Sequence, residues 1–140
     1  MIDGLIDKEV GSGATKDIVE TASQLLEVDF PEDYKEFLCR YGWARLSYEE
    51  FYGLGDSVPE HLNLVKNTIH ERTRFHPHLP KYLVPVLADG AGNHYCLDLS
   101  QATSVKCPVV FWDHDQDDRQ APELVGNSFS EWVVKHVSNQ

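Results

Sequence analysis

Residues 82–100 read YLVPVLADGAGNHYCLDLS. A β-rich apolar run, a turn signal in DGAGN and a second run of alternating polarity are the marks of two strands joined by a tight turn. CPVVFWD at 107–113 supplies a third run of the same kind. Together they predict an antiparallel meander, and the fold class follows from what surrounds it.

Upstream, Ile18, Val19, Ala22, Leu25 and Leu26 fall on one helical face, with Thr15 placed as an amino-terminal cap. In DFPEDYKEFLCRYG (29–42), Pro31 suits a first helical position, Glu32 and Asp33 favour the positive end of the helix dipole, and Gly42 can end the helix. Tyr34, Phe37, Leu38 and Tyr41 form its apolar stripe. The aromatic segment Trp43 to Leu54 reads as one or two strands. In SVPEHLNLVKNTIHERTRF (57–75), Ser57 is the expected cap of a third helix, with Leu62, Val65 and Ile69 at helical spacing. In SFSEWVVKHV (128–137), Ser128 and Glu131 have capping-box spacing ahead of Phe129, Trp132, Val133 and Val137. No repeat, linker or low-complexity stretch divides the chain. The order helix, helix, strands, helix, strands, helix predicts one α+β domain over 1–140, an antiparallel sheet packed against helices.

Charge is the strongest bulk signal: 12 Lys and Arg stand against 23 Asp and Glu, a formal net charge of -11. Nucleic-acid binders concentrate basic residues to displace counterions from phosphate, so direct DNA or RNA binding is disfavoured. A basic protein would instead be attracted, and such steering raises association rates. MIDGLIDKEV has neither the basic start nor the apolar stretch of a secretory signal, and no window has the ~18 apolar residues of a membrane span, so the expected location is cytoplasmic, with no membrane partner. Cys39, Cys96 and Cys107 show no CxxC spacing and read as reduced, mostly buried thiols.

Several motifs could carry chemistry, and each falls short. In DHDQDD (113–118), Asp113, Asp115 and Asp117 match the opening of a calcium loop. The glycine needed at the sixth position is Asp118, the glutamate needed at the twelfth is Leu124, and Glu123 stands one place early. His94, Cys96 and Asp98 alternate along one strand, with His114 on a neighbouring one, but the three strand residues would span about 13 Å, too far to meet a single zinc. A half-buried cysteine with a polar pair on the less buried face of the sheet is the simpler expectation. His70 and Glu71 begin like HExxH, yet the second histidine is replaced by Arg74, and His76 and His78 read as exposed loop residues. GSGATKD and DGAGN lack the GK[ST] of a phosphate loop, and no serine sits in a GxSxG elbow. No catalytic residue, metal ligand or cofactor site is assigned.

DFPEDYKEFLCRYG, VPVLADGAGNHYCLDLS, CPVVFWDHD and GNSFSEWVVKHV, in that order, resemble the SUKH superfamily, whose eukaryotic namesakes are the Smi/Knr-like yeast cell-wall regulators. The resemblance runs from about Thr15 to Val137. It implies an α+β domain without catalytic machinery, used in many bacteria as an immunity protein that binds and blocks a cognate polymorphic toxin, often a nuclease. Pro31, Tyr34, Phe37 and Leu38 match the family's Pro-x-x-Tyr-x-x-Phe-Leu helix, and Phe129 with Trp132 its terminal helix. Asp98 matches the aspartate after Cys-Leu, and Asp113 with His114 the Trp-Asp-His block. The family commonly has Asp where this chain has Asn93, an exchange that tight turns tolerate.

The expected function is therefore non-enzymatic binding of a cognate, basic toxin through an acidic surface. The candidate docking residues are Asp113, Asp115, Asp117 and Asp118, joined by Glu49, Glu50 and Asp56. Asp98 is expected to be structural. A regulatory scaffold like the fungal relatives is the alternative, and a small metal-dependent enzyme using His94, Cys96, Asp113, His114 or Asp115 is a weaker one.

Overall fold

Each strand pairs antiparallel with the next in the chain, so seven strands among the described residues form one sheet in the order β1 to β7. The computed structural model describes residues 2–5, 7–119 and 121–138, with residues 117–119 described in the backbone alone. The strands are β1 (Lys8–Val10), β2 (Ala44–Leu46), β3 (Glu49–Phe51), β4 (Leu83–Ala88), β5 (His94–Asp98), β6 (Val109–Trp112) and β7 (Glu123–Gly126). The helices are α1 (Lys16–Leu26), α2 (Glu32–Arg40), α3 (Leu64–Thr73) and α4 (Phe129–Ser138). This is the expected α+β class, and β4, β5 and β6 are the expected meander. β1 and β7 stand at the two margins of the sheet without a sequence signal that announced them.

The helix boundaries follow from capping chemistry. The Thr15 hydroxyl accepts the Ile18 N–H, as expected for α1. Leu25, assigned to the buried face, is 60% exposed, while Val19, Ala22 and Leu26 are buried. Pro31 occupies the N-cap of α2, one residue ahead of the expected position, and Gly42 follows the helix with φ +79. The third helix corrects the expectation most. Its cap is Asn63, whose side chain accepts the Lys66 N–H, and Ser57 instead faces the Trp43 indole N–H at 3.3 Å. Leu62 lies in a separate 3-10 turn, and α3 buries Leu64 and Thr68 while Ile69 is 40% exposed. The bridge between Gly53 and Asn63 causes this shift, because it holds residue 63 extended until the asparagine caps the helix. That bridge needs glycine: a Cβ on Gly53 would come within 1.8 Å of the Gly42 carbonyl oxygen.

The main core lies between the helices and one face of the sheet. Tyr34 and Phe37 of α2 meet Phe129 of α4 edge to face, at 4.9 and 5.2 Å between ring centroids. Asp33 fastens the same two helices, its carboxylate accepting the Ser130 N–H and hydroxyl at 3.0 and 3.1 Å, while Ser128 accepts the Glu131 N–H. Two caps on one helix start satisfy two orphan donors. On the opposite sheet face, Leu79, Leu83, Cys96, Val110 and Trp112 form a smaller cluster. Cys96 is fully buried there and His94 is 5% exposed, so the face expected to be less buried is covered around both residues.

Candidate protein-docking site

A meander puts alternate turns at opposite ends of its sheet. The β2–β3, β4–β5 and β6–β7 connections therefore share one end, and each brings carboxylates to it. β3 contributes Glu49, the β4–β5 turn Asp89, and the β6–β7 loop Asp113 and Asp115, with Glu123 opening β7. The Tyr95 phenol lies within electrostatic reach of three of them. Burial first, and then the charges of Glu49, Asp89 and Glu123, push its pKa upward.

The central turn is locked by side chains. Asp89 accepts the backbone N–H groups of Ala91 and Asn93 at 2.8 and 3.0 Å, and the Asn93 side-chain amide donates to it at 2.9 Å. Burial pulls the Asp89 carboxyl upward, but these hydrogen bonds outweigh it and hold the group below the ordinary carboxylate value. The oxygen of the Asn93 side chain faces the other way, accepting the His114 backbone N–H at 3.1 Å and meeting the ring Nδ1 at 2.6 Å. The His114 ring in turn packs close to Gly92, where φ is +94 and a Cβ would come within 2.8 Å of it. One asparagine thus ties the β4–β5 turn to the acidic loop.

The acidic loop, which the sequence presents as a charged turn, continues in 3-10 conformation over His114–Arg119. Asp113 accepts the Asp115 N–H at 2.9 Å, and Asp115 lies 3.2 Å from His114 Nε2. Asp113, His114 and Asp115 each bring one potential ligand atom within 4.8 Å of the others, a tighter grouping than the broken calcium motif suggests. The side chains of Asp117 and Asp118, also expected at the site, lie outside the described residues.

Of the remaining candidates, Glu49 belongs to this end, Glu50 follows it on β3 with its side chain on the other face of the strand, and Asp56 does not join it. Glu49 lies 3.4 Å from His136, whose ring stacks on Trp132 and meets Tyr95 edge-on, so α4 supports the site from behind. Glu50 pairs with His61 at 3.1 Å. Asp56 sits past the other end of β3, beside Gly55, which packs on Gly13 and Ala14. Sequence reasoning passed over Asp89, Glu123 and Tyr48. Tyr48 is 93% exposed in the β2–β3 turn, a neutral residue that carries no charge signal.

Behind the site is a buried polar group assembled from three elements. Tyr52 Oη lies 3.0 Å from His94 Nε2, and His94 Nδ1 lies 3.6 Å from the Glu71 carboxylate. Burial lowers the His94 pKa to about 4, against a smaller upward pull from Asp89, so the imidazole is neutral at physiological pH. Burial raises Glu71, with His114 opposing it. The Glu71 contact is accordingly not an ion pair of the usual kind. Asp98 caps the 3-10 turn at Leu99–Gln101, its side chain accepting the Ser100 N–H and hydroxyl at 3.1 and 2.6 Å, the hydrogen-bonding role expected of it.

With this geometry in place, comparison with known proteins fixes the lineage. The family model SUKH_5, described as SMI1-KNR4 cell-wall, matches residues 1–138. The chain belongs to the SUKH family. A SPbeta prophage-derived uncharacterized protein of Bacillus subtilis (strain 168), YokK, is 25% identical over 154 aligned positions, covering 85% of this chain and 76% of the relative. SUKH domains are generally non-catalytic, and membership fits immunity-protein or SMI1/KNR4-like roles. Among the described residues no helix is long and apolar enough to cross a membrane.

Proposed function

We propose that this SUKH domain is a non-enzymatic immunity protein that binds and neutralises a cognate bacterial toxin, a basic nuclease being the class that best suits its charge. One observation carries the proposal: Glu49, Asp89, Asp113, Asp115 and Glu123 stand at one end of the sheet, in a chain of net charge -11. A surface of that sign attracts a protein whose own substrate is a polyanion, and can occupy the site where the polyanion would bind.

The test begins with the gene's neighbours. A toxin encoded beside this gene should co-purify with the chain, and cells expressing that toxin should survive only when the chain is present. Failure of protection with a neighbouring toxin that does not bind would contradict the proposal. A regulatory scaffold remains as a second reading, favoured by the cell-wall description of the matching family model. It predicts a partner among the cell's own proteins and no effect on toxin killing.

A further inference from the structure

The two margins of the sheet are unlike. β1 carries Lys8 and Glu9 on a strand of three residues, with Glu9 3.8 Å from Arg45, a charged edge of the kind that discourages further pairing. β7 has no lysine or proline within it, and no described residue pairs with its outer edge. Leu124 is 60% exposed and Val125 36% exposed, consecutive apolar side chains beside open backbone. An irregularity at Val109/Val110 shortens the regular ladder, so the edge suits a short strand.

We propose that β7 is a docking edge, which takes an extended, basic segment of the partner as one further antiparallel or parallel strand. Backbone hydrogen bonds along the edge would supply affinity and apolar contacts with Leu124 and Val125 would supply register. Charge selects the occupant. Glu123 lies on the strand itself and Asp113 and Asp115 lie in the loop that leads to it, so Lys or Arg side chains flanking the added strand meet carboxylates. A second copy of this chain would instead bring a formal charge of -11 against -11 at the same edge. The inference rests on the docking function proposed above, and adds to it the mode of binding.

The probe is a peptide of about eight residues alternating Val or Thr with Lys or Arg, a usual strand length, added to the isotope-labelled full chain. The expected result is amide shifts and slowed hydrogen exchange concentrated on residues 123–126, absent with a backbone N-methylated peptide and with a Glu-for-Lys peptide. Val125→Pro should weaken binding about tenfold, the scale of losing one or two backbone hydrogen bonds. Leu124→Lys leaves the backbone intact and should weaken the basic peptide while preserving the melting temperature. Shifts confined to Tyr48 and the Asp113 loop, equal binding of the acidic peptide, no shift at millimolar peptide, or self-association through residues 123–126 would each overturn the proposal. None of these would touch the immunity function, which stands or falls on toxin protection.

Discussion

Asn93 holds two turns together with one side chain, and the consequence can be measured. Tolerance of tight turns alone would make Asn93→Asp neutral. In the fold, however, the amide nitrogen donates to Asp89 at 2.9 Å, and an aspartate there would set two carboxylates face to face. Asn93→Asp should cost about 1–2 kcal/mol in urea unfolding at neutral pH, the price of a lost hydrogen bond and an unfavourable contact. His94 gives a second residue-scale prediction. Its folded pKa is lowered from 6.5 to about 4, so as pH falls the unfolded chain takes up the proton first. The stability tied to neutral His94 is fully present above 6.5 and is lost as pH falls from there to about 4, amounting to about 3 kcal/mol at most. Glu71, raised by burial, acts with the opposite sign as pH rises above its ordinary 4.5. The melting temperature of His94→Gln should therefore fall less steeply than that of the wild type between pH 6.5 and 4. Parallel curves would contradict this account. At this scale the sequence was legible where the partner is local: Thr15 and Ser128 cap the helices that follow them. It was mute for Tyr52 and His94, which are 42 residues apart and meet only through the sheet.

At the scale of elements, long periodic segments were legible and short dependent ones were not. α1, α2 and α4 each carry an apolar stripe and a start signal of their own. β1 and β7 have three and four residues of mixed polarity, and they are strands because neighbouring strands offer them hydrogen bonds. α3 starts after Asn63 and not near Ser57 because a 3-10 turn over Glu60–Leu62 and the Gly53 bridge intervene before the asparagine caps it. The loop after β6 yields the prediction for this scale. Asp113 already accepts the Asp115 N–H, His114 Nδ1 already faces Asn93, and the Asp115 side chain is 82% exposed, so a cation would compete with existing contacts and with water. Thermal melts in EDTA, calcium and zinc should coincide. A rise of several degrees at micromolar metal would show a ligand bound to the native state alone and would restore the metal-site alternative.

For the whole molecule, the meander converts scattered acidic residues into a surface. The sequence displayed the DHDQDD loop plainly, and a net charge that favours a basic partner. It did not display that Glu49 and Asp89 share an end with Asp113 and Asp115, or that Asp56 does not, because that depends on strand order rather than on local pattern. Asp89, Asp115 and Glu123 are exposed while Glu49 and Asp113 are half-buried, and exposed carboxylates steer encounter more than they hold a complex together, since rim ion pairs contribute about 0–1 kcal/mol each. The most direct measurement is the association rate with the neighbouring toxin, followed from about 20 to about 200 mM salt, a span that shortens the screening length severalfold. The wild type should associate fastest at low salt and slow steeply as salt rises. Asp115→Asn, Asp117→Asn and Asp118→Asn combined should lower the low-salt rate and flatten the salt dependence, with the melting temperature nearly unchanged. A variant whose rate matches the wild type across the whole salt range would contradict the account and place the interface elsewhere on the molecule.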